Sequence, residues 1–111
     1  MITLPHAQFV EELACPNCGD PYIHHGRVEV FDRAEDAKVV TRVIVDGLVT
    51  TGPRLNAEVK NPSLRRHGLR INHWCEGCSH SMDLCLAQHK GNTYLYWDMD
   101  TLEKLELTDD A

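Results

Sequence analysis

The chain has 111 residues, of which 42% are hydrophobic and 25% charged, with a formal net charge of −6. That length suits one small domain burying roughly two thirds of its unfolded surface, and no apolar run approaches the roughly 20 residues of a membrane span. The first residues, Met1-Ile2-Thr3-Leu4-Pro5-His6, lack the basic start and long apolar stretch of a signal peptide, so the expected location is cytoplasmic, with no membrane partner.

Taken in chain order, the first landmark is Cys15-Pro16-Asn17-Cys18-Gly19. Beyond it the pattern alternates with period two and helical periodicity is scarce, which predicts a mostly β, antiparallel protein. Arg27 to Phe31 reads as a strand, Asp32 to Ala37 as a polar connection, and Lys38 to Val45 as a second strand ending at the hairpin signal Asp46-Gly47. The return arm, Leu48 to Thr51, is expected to stop at Gly52-Pro53. Leu55, Ala57 and Val59 then alternate with Arg54, Asn56, Glu58 and Lys60, which predicts a further half-buried strand up to Asn61-Pro62. Leu69 and Ile71 lead through His73 into Cys75-Glu76-Gly77-Cys78, and Met82, Leu84 and Leu86 continue on one strand face. A turn at His89-Lys90-Gly91-Asn92 reverses the chain into Thr93 to Trp97. There Leu95 and Trp97 share one face and Tyr94 and Tyr96 the other, either as an exposed aromatic pair or as cover for a second small core against the inserted hairpin. Met99, Leu102 and Leu105 fall at helical spacing in an acidic tail.

The cysteines carry the strongest chemistry. Two residues between each pair let a tight turn present both thiolates to one metal ion, so Cys15, Cys18, Cys75 and Cys78 together supply the four sulfurs of a structural Zn²⁺ site, one per chain. Bringing Cys18 to Cys75 closes a loop of 56 residues. Closure costs roughly 3.5 kcal/mol, against zinc binding on the order of 10 kcal/mol or more. Gly19 and Gly77 are expected to supply the positive φ that such turns need. A site that recruits His73 or His80, or a redox pair, is the competing reading; a thioredoxin-like role fails for want of a βαβ context. Five cysteines, an odd number, fit a reducing compartment. Cys85, on the strand face opposite Met82, Leu84 and Leu86, reads as a small buried hydrophobe.

Charge is unevenly spread. Residues 98–111 hold six acidic residues against Lys104 alone, whereas Arg54 to Arg70 holds five basic residues against Glu58. Arg65, Arg66, His67 and Arg70 in this basic loop, with Lys90, are the candidate partner-binding residues, suited to phosphates or to an acidic protein surface. Pairing of the arginines with the acidic cluster between Glu29 and Asp36 is the bland alternative. The seven histidines do not assemble a catalytic pattern: no helix with a correctly placed ligand follows His24-His25, and neither cysteine turn is preceded by the His-x-Glu of a zinc deaminase.

Cys-Pro-Asn-Cys-Gly followed by Tyr-Ile-His-His and Val-Glu-Val-Phe-Asp-Arg, then Asn-Pro-Ser-Leu-Arg-Arg-His-Gly-Leu-Arg-Ile, Trp-Cys-Glu-Gly-Cys and Gln-His-Lys-Gly-Asn-Thr, resembles a group of small zinc-ribbon proteins of bacteriophages, prophages and bacteria. The resemblance covers Cys15 to Trp97 and implies a phage-related source and a bacterial host cytoplasm, without implying an activity. The expectation is therefore a zinc-ribbon β domain over residues 1–97, with an insert at about 32–67 and an acidic tail over 98–111. Its expected role is that of a non-catalytic binding module for a protein or nucleic acid. The alternative is a metal-dependent nuclease or hydrolase acting on nucleic acid.

Overall fold

The computed structural model describes Leu4 and residues 6–99. Six strands, β1 (Ile23–Asp32), β2 (Val39–Asp46), β3 (Leu48–Leu55), β4 (Gly68–Cys75), β5 (Ser81–His89) and β6 (Asn92–Asp98), form one antiparallel sheet in the order β3-β2-β1-β4-β5-β6. The mostly β, antiparallel expectation holds. Two sharp reversals rest on positive φ. The β2–β3 hairpin turns at Gly47 (φ 74°), and Lys90 and Gly91 (φ 50° and 80°) form the two-residue turn between β5 and β6, the geometry that matches strand twist in a short hairpin.

The return arm does not stop at Gly52-Pro53. β3 runs through both residues to Leu55, with Pro53 opposite Thr41. It can do so because β3 is an edge strand, where a missing N–H leaves no ladder bond unmade. The predicted strand from Arg54 to Lys60 is absent: Asn56–Glu58 is a 3₁₀ turn and Leu55 is half exposed. The alternation there reflects the edge strand running out into a turn. Asn56 N–H donates to the Lys38 carbonyl at 2.8 Å, so the hairpin enters and leaves the sheet at one point. A bulge between His25 and Val28 places two residues of β1, Gly26 and Arg27, opposite Asn72 of β4.

The register divides the side chains between two faces. One carries two cross-strand rows that span all six strands, Thr51-Val43-Val30-Leu69-Leu86-Leu95 and Val49-Val45-Val28-Ile71-Leu84-Trp97. The other face carries Phe31, Val40, Arg70, Cys85 and Ala87, all buried. The 56–67 segment folds over this second face. Asn61 and Pro62 crowd Gly68, where an added Cβ would lie 2.2 Å from the Asn61 Oδ1. Lys60 O accepts from Arg70 at 3.2 Å, and the Tyr96 hydroxyl lies 3.5 Å from the Pro62 carbonyl. Tyr96 thus helps seal this second core, while Tyr94 is half exposed. Cys85 is fully buried, as its position predicted, and burial pushes its thiol up to about 11 despite the neighbouring Arg70.

Asp98 closes β6 and binds the Arg70 guanidinium, so it belongs to the sheet and not to a tail. Met99 packs on the cluster of Cys15, Cys75 and Met82. The helical spacing at Leu102 and Leu105, and the acidic tail beyond residue 99, lie outside the described residues.

Candidate metal centre

The two cysteine turns are built alike. In the first, Cys15 N–H donates to the Asp20 carbonyl (2.8 Å) and Gly19 N–H to the Cys15 carbonyl (2.8 Å). In the second, Cys75 N–H donates to the His80 carbonyl (3.0 Å) and Ser79 N–H to the Cys75 carbonyl (3.0 Å). The residue after the second cysteine is left-handed in both, Gly19 at φ 84° and Ser79 at φ 62°. The expectation that Gly77 supplies the positive φ is therefore corrected: Ser79 does. Gly77 serves another need, because a Cβ there would lie 2.3 Å from the Asp20 carboxylate of the facing turn. It lets the two turns close on each other.

They close far enough to bring all four Sγ atoms within 4.8 Å of one another. Cys15 and Cys78 are 3.7 Å apart across the turns, and Cys18 and Cys75 are 3.6 Å apart. Four sulfurs at the corners of a tetrahedron with metal–sulfur bonds of 2.3 Å stand about 3.8 Å apart, so the spacing is that of a shared cation. All five cysteines are free thiols. Cys15 and Cys75 are buried against Met82, with Ile23, Trp97 and Met99 around them, while Cys18 faces solvent.

The surrounding donors polarise the cluster. Asn17 Nδ2 lies 3.4 Å from Cys78 Sγ, and this bond, with the backbone N–H of His80, holds the Cys78 thiol down at about 6. Asn17 also turns its backbone N–H toward Cys15 Sγ at 3.4 Å. Cys18 behaves oppositely. A backbone N–H at Asp20 pulls it down, but desolvation and the neighbouring thiols outweigh that and push it to about 12. Burial raises Cys75 as well. Negative charge on one sulfur thus opposes it on the next, a conflict that a divalent cation removes by drawing out all the thiol protons. Asn17 was not singled out from the sequence. Its place between Cys15 and Cys18, with donors on both backbone and side chain, is the signal that could have found it.

Among the described residues, the four cysteines are the one group of three or more such side chains placed to hold a metal. His80 Nδ1 is 3.2 Å from Asn17 Nδ2, and His73 Nδ1 is 2.9 Å from the Ile71 carbonyl, so both stand outside the sulfur cluster. His24 contacts Glu76, and the His25 ring lies 6.2 Å from that of His73, tilted by 57°.

The basic loop is dispersed. Arg65 makes a bidentate pair with Asp36 (2.6 and 3.1 Å), whose carboxyl is held below its ordinary range by that contact. Arg70 is 4% exposed, clamped between Asp83 (2.9 Å) and Asp98. It is not on the exposed edge expected of it, because burial of the guanidinium beneath the 56–67 segment requires both carboxylates. His67 Nδ1 accepts from Arg33 N–H at 3.0 Å and lies 3.3 Å from Asp32. Arg66 and Lys90 are exposed. Gln88 N–H donates to the His67 carbonyl, so the loop and the Lys90 turn occupy the same end of the sheet.

No family model, curated protein or solved structure matches this chain.

Proposed function

We propose that the chain is a zinc-stabilised, non-catalytic binding module of the zinc-ribbon type, phage-related, that engages a protein or nucleic acid at the end of the sheet carrying Arg66 and Lys90. The observation that carries the reading is the convergence of four thiol sulfurs at tetrahedral spacing. Cysteine sulfur, with no other donor at the cluster among the described residues, favours zinc over harder cations. With four protein ligands a tetrahedral ion has no position left for substrate, so the metal contributes fold and not turnover. It ties the segment before β1 to the β4–β5 connection, holding the sheet closed at one end. The binding role is then left to side chains elsewhere.

The purified protein should hold one zinc per chain. Cys75→Ser should lose both metal and fold, while Cys85→Ala keeps the metal. A metal-free yet folded wild-type protein would remove the basis of the reading. The competing nuclease or hydrolase reading predicts cleavage of plasmid or single-stranded DNA with added Mg²⁺ or Mn²⁺, where the binding-module reading predicts none.

A further inference from the structure

Besides Arg66 in the loop, two further arginines are left without side-chain partners among the described residues. Arg42, half-buried on β2, and Arg54, exposed on β3, make no hydrogen bond or ion pair among the described residues. The register puts both on the face covered further along by the 56–67 segment: Arg42 pairs with Gly52, Val40 with Arg54, and Ile44 with Thr50. Arg42, Thr50, Thr51, Gly52 and Arg54 line a shallow, open depression of about 70 Å³. At its floor is Gly52, over which a Cβ would meet nothing within 4 Å.

Arg42 and Arg54 are diagonal neighbours across β2 and β3, within reach of each other for long side chains, and their like charges disfavour each other. In a chain of net charge −6, with acidic residues to spare, both could have been neutralised internally, as Arg65 and Arg70 are. An anion seated over Gly52 would relieve the repulsion, with five N–H donors from each guanidinium and a hydroxyl from Thr50. Donors arriving from three sides suit the tetrahedral oxygens of a phosphate better than the two coplanar oxygens of a carboxylate. The depression is open at the sheet edge, so the phosphate can belong to a long chain. We propose that Arg42 and Arg54 clamp a backbone phosphate of a nucleic acid over Gly52. This rests on the binding-module reading and names its partner class.

The test uses the zinc-loaded full chain and fluorescently labelled oligonucleotides, 20-nucleotide single-stranded DNA and RNA and the matching DNA duplex, in an anisotropy titration at low salt. The wild type should bind at least one of them, with affinity falling as salt rises. Arg42→Gln with Arg54→Gln, which keep most of the side-chain bulk, should weaken binding at least tenfold and shallow the salt dependence by about one phosphate contact. Gly52→Val should do the same with both arginines intact, because its side chain fills the floor. The zinc content and melting temperature of each variant should match the wild type, which separates failure of this proposal from failure of the zinc reading. Zinc-loaded wild type that binds no oligonucleotide would overturn the proposal, as would variants binding as well as wild type. Arginine-dependent capture of polyglutamate in place of oligonucleotide would overturn it in favour of an acidic protein.

Discussion

Ser79 occupies the left-handed position that Gly19 fills in the other turn, and a side chain there costs about 1–2 kcal/mol relative to glycine. Ser79→Gly should therefore leave the melting temperature unchanged or slightly raised, whereas Ser79→Val, β-branched at positive φ, should lower it and weaken metal retention in a chelator titration. The arginines differ by environment in the same way. Asp83→Ala would leave the buried Arg70 guanidinium with Asp98 as its one remaining carboxylate and its Nε–H unsatisfied, and unfolding should show a loss of about 1–3 kcal/mol. Arg65→Ala breaks an exposed pair and should leave neutral-pH stability near wild type. Asp36 is held below its ordinary range by Arg65, so whatever the pair adds is present above the unfolded carboxylate pKa of about 3.9 and fades as pH falls through the lower folded value. Melting curves of wild type and Arg65→Ala should accordingly converge in acid. Spacing alone made the four cysteines legible, because a two-residue gap in a metal turn is a local property. The fates of Arg65 and Arg70 were not legible, since their carboxylates lie 29 and 13 or 28 residues away and only the register brings them near.

At the level of elements, the core of β1, then β2, β4, β5 and β6, could be read from alternation bounded by Asp46-Gly47, the cysteine turn and Lys90-Gly91. The end of β3, beyond the predicted Leu48 to Thr51, and the segment after it could not. An edge strand tolerates the Gly-Pro pair that reads as a stop, and a 3₁₀ turn can carry apolar residues at every second position by chance. Gly68 shows why the covering segment stays where it is. It begins β4 directly beneath Asn61 and Pro62, with both closer than 3 Å to where a Cβ would stand. Gly68→Ala should push Asn61 off its bonds to Asn56 and the Arg66 carbonyl. The expected readout is a loss of about 1–3 kcal/mol, with amide protection reduced from residue 60 to residue 67 and zinc content unaltered.

Across the molecule, the cysteine cluster joins the segment before β1 to the β4–β5 connection, while the β2–β3 hairpin joins the sheet through β1. Native-state hydrogen exchange should rise from β1, β4 and β5 outward to β3. Stripping the metal with a chelator should raise exchange in β1, β4 and β5 first; uniform exchange over all six strands would contradict this ordering. The single point at which the hairpin enters and leaves, pinned by Asn56 N–H on the Lys38 carbonyl, has an evolutionary consequence. A replacement hairpin of different length or charge can be spliced between Lys38 and Asn56 without moving a cysteine, provided it supplies an apolar residue in place of Val40. On the proposed reading, the molecule is a constant cysteine cage bearing an exchangeable cassette, in which recognition can diverge while the cage stands still.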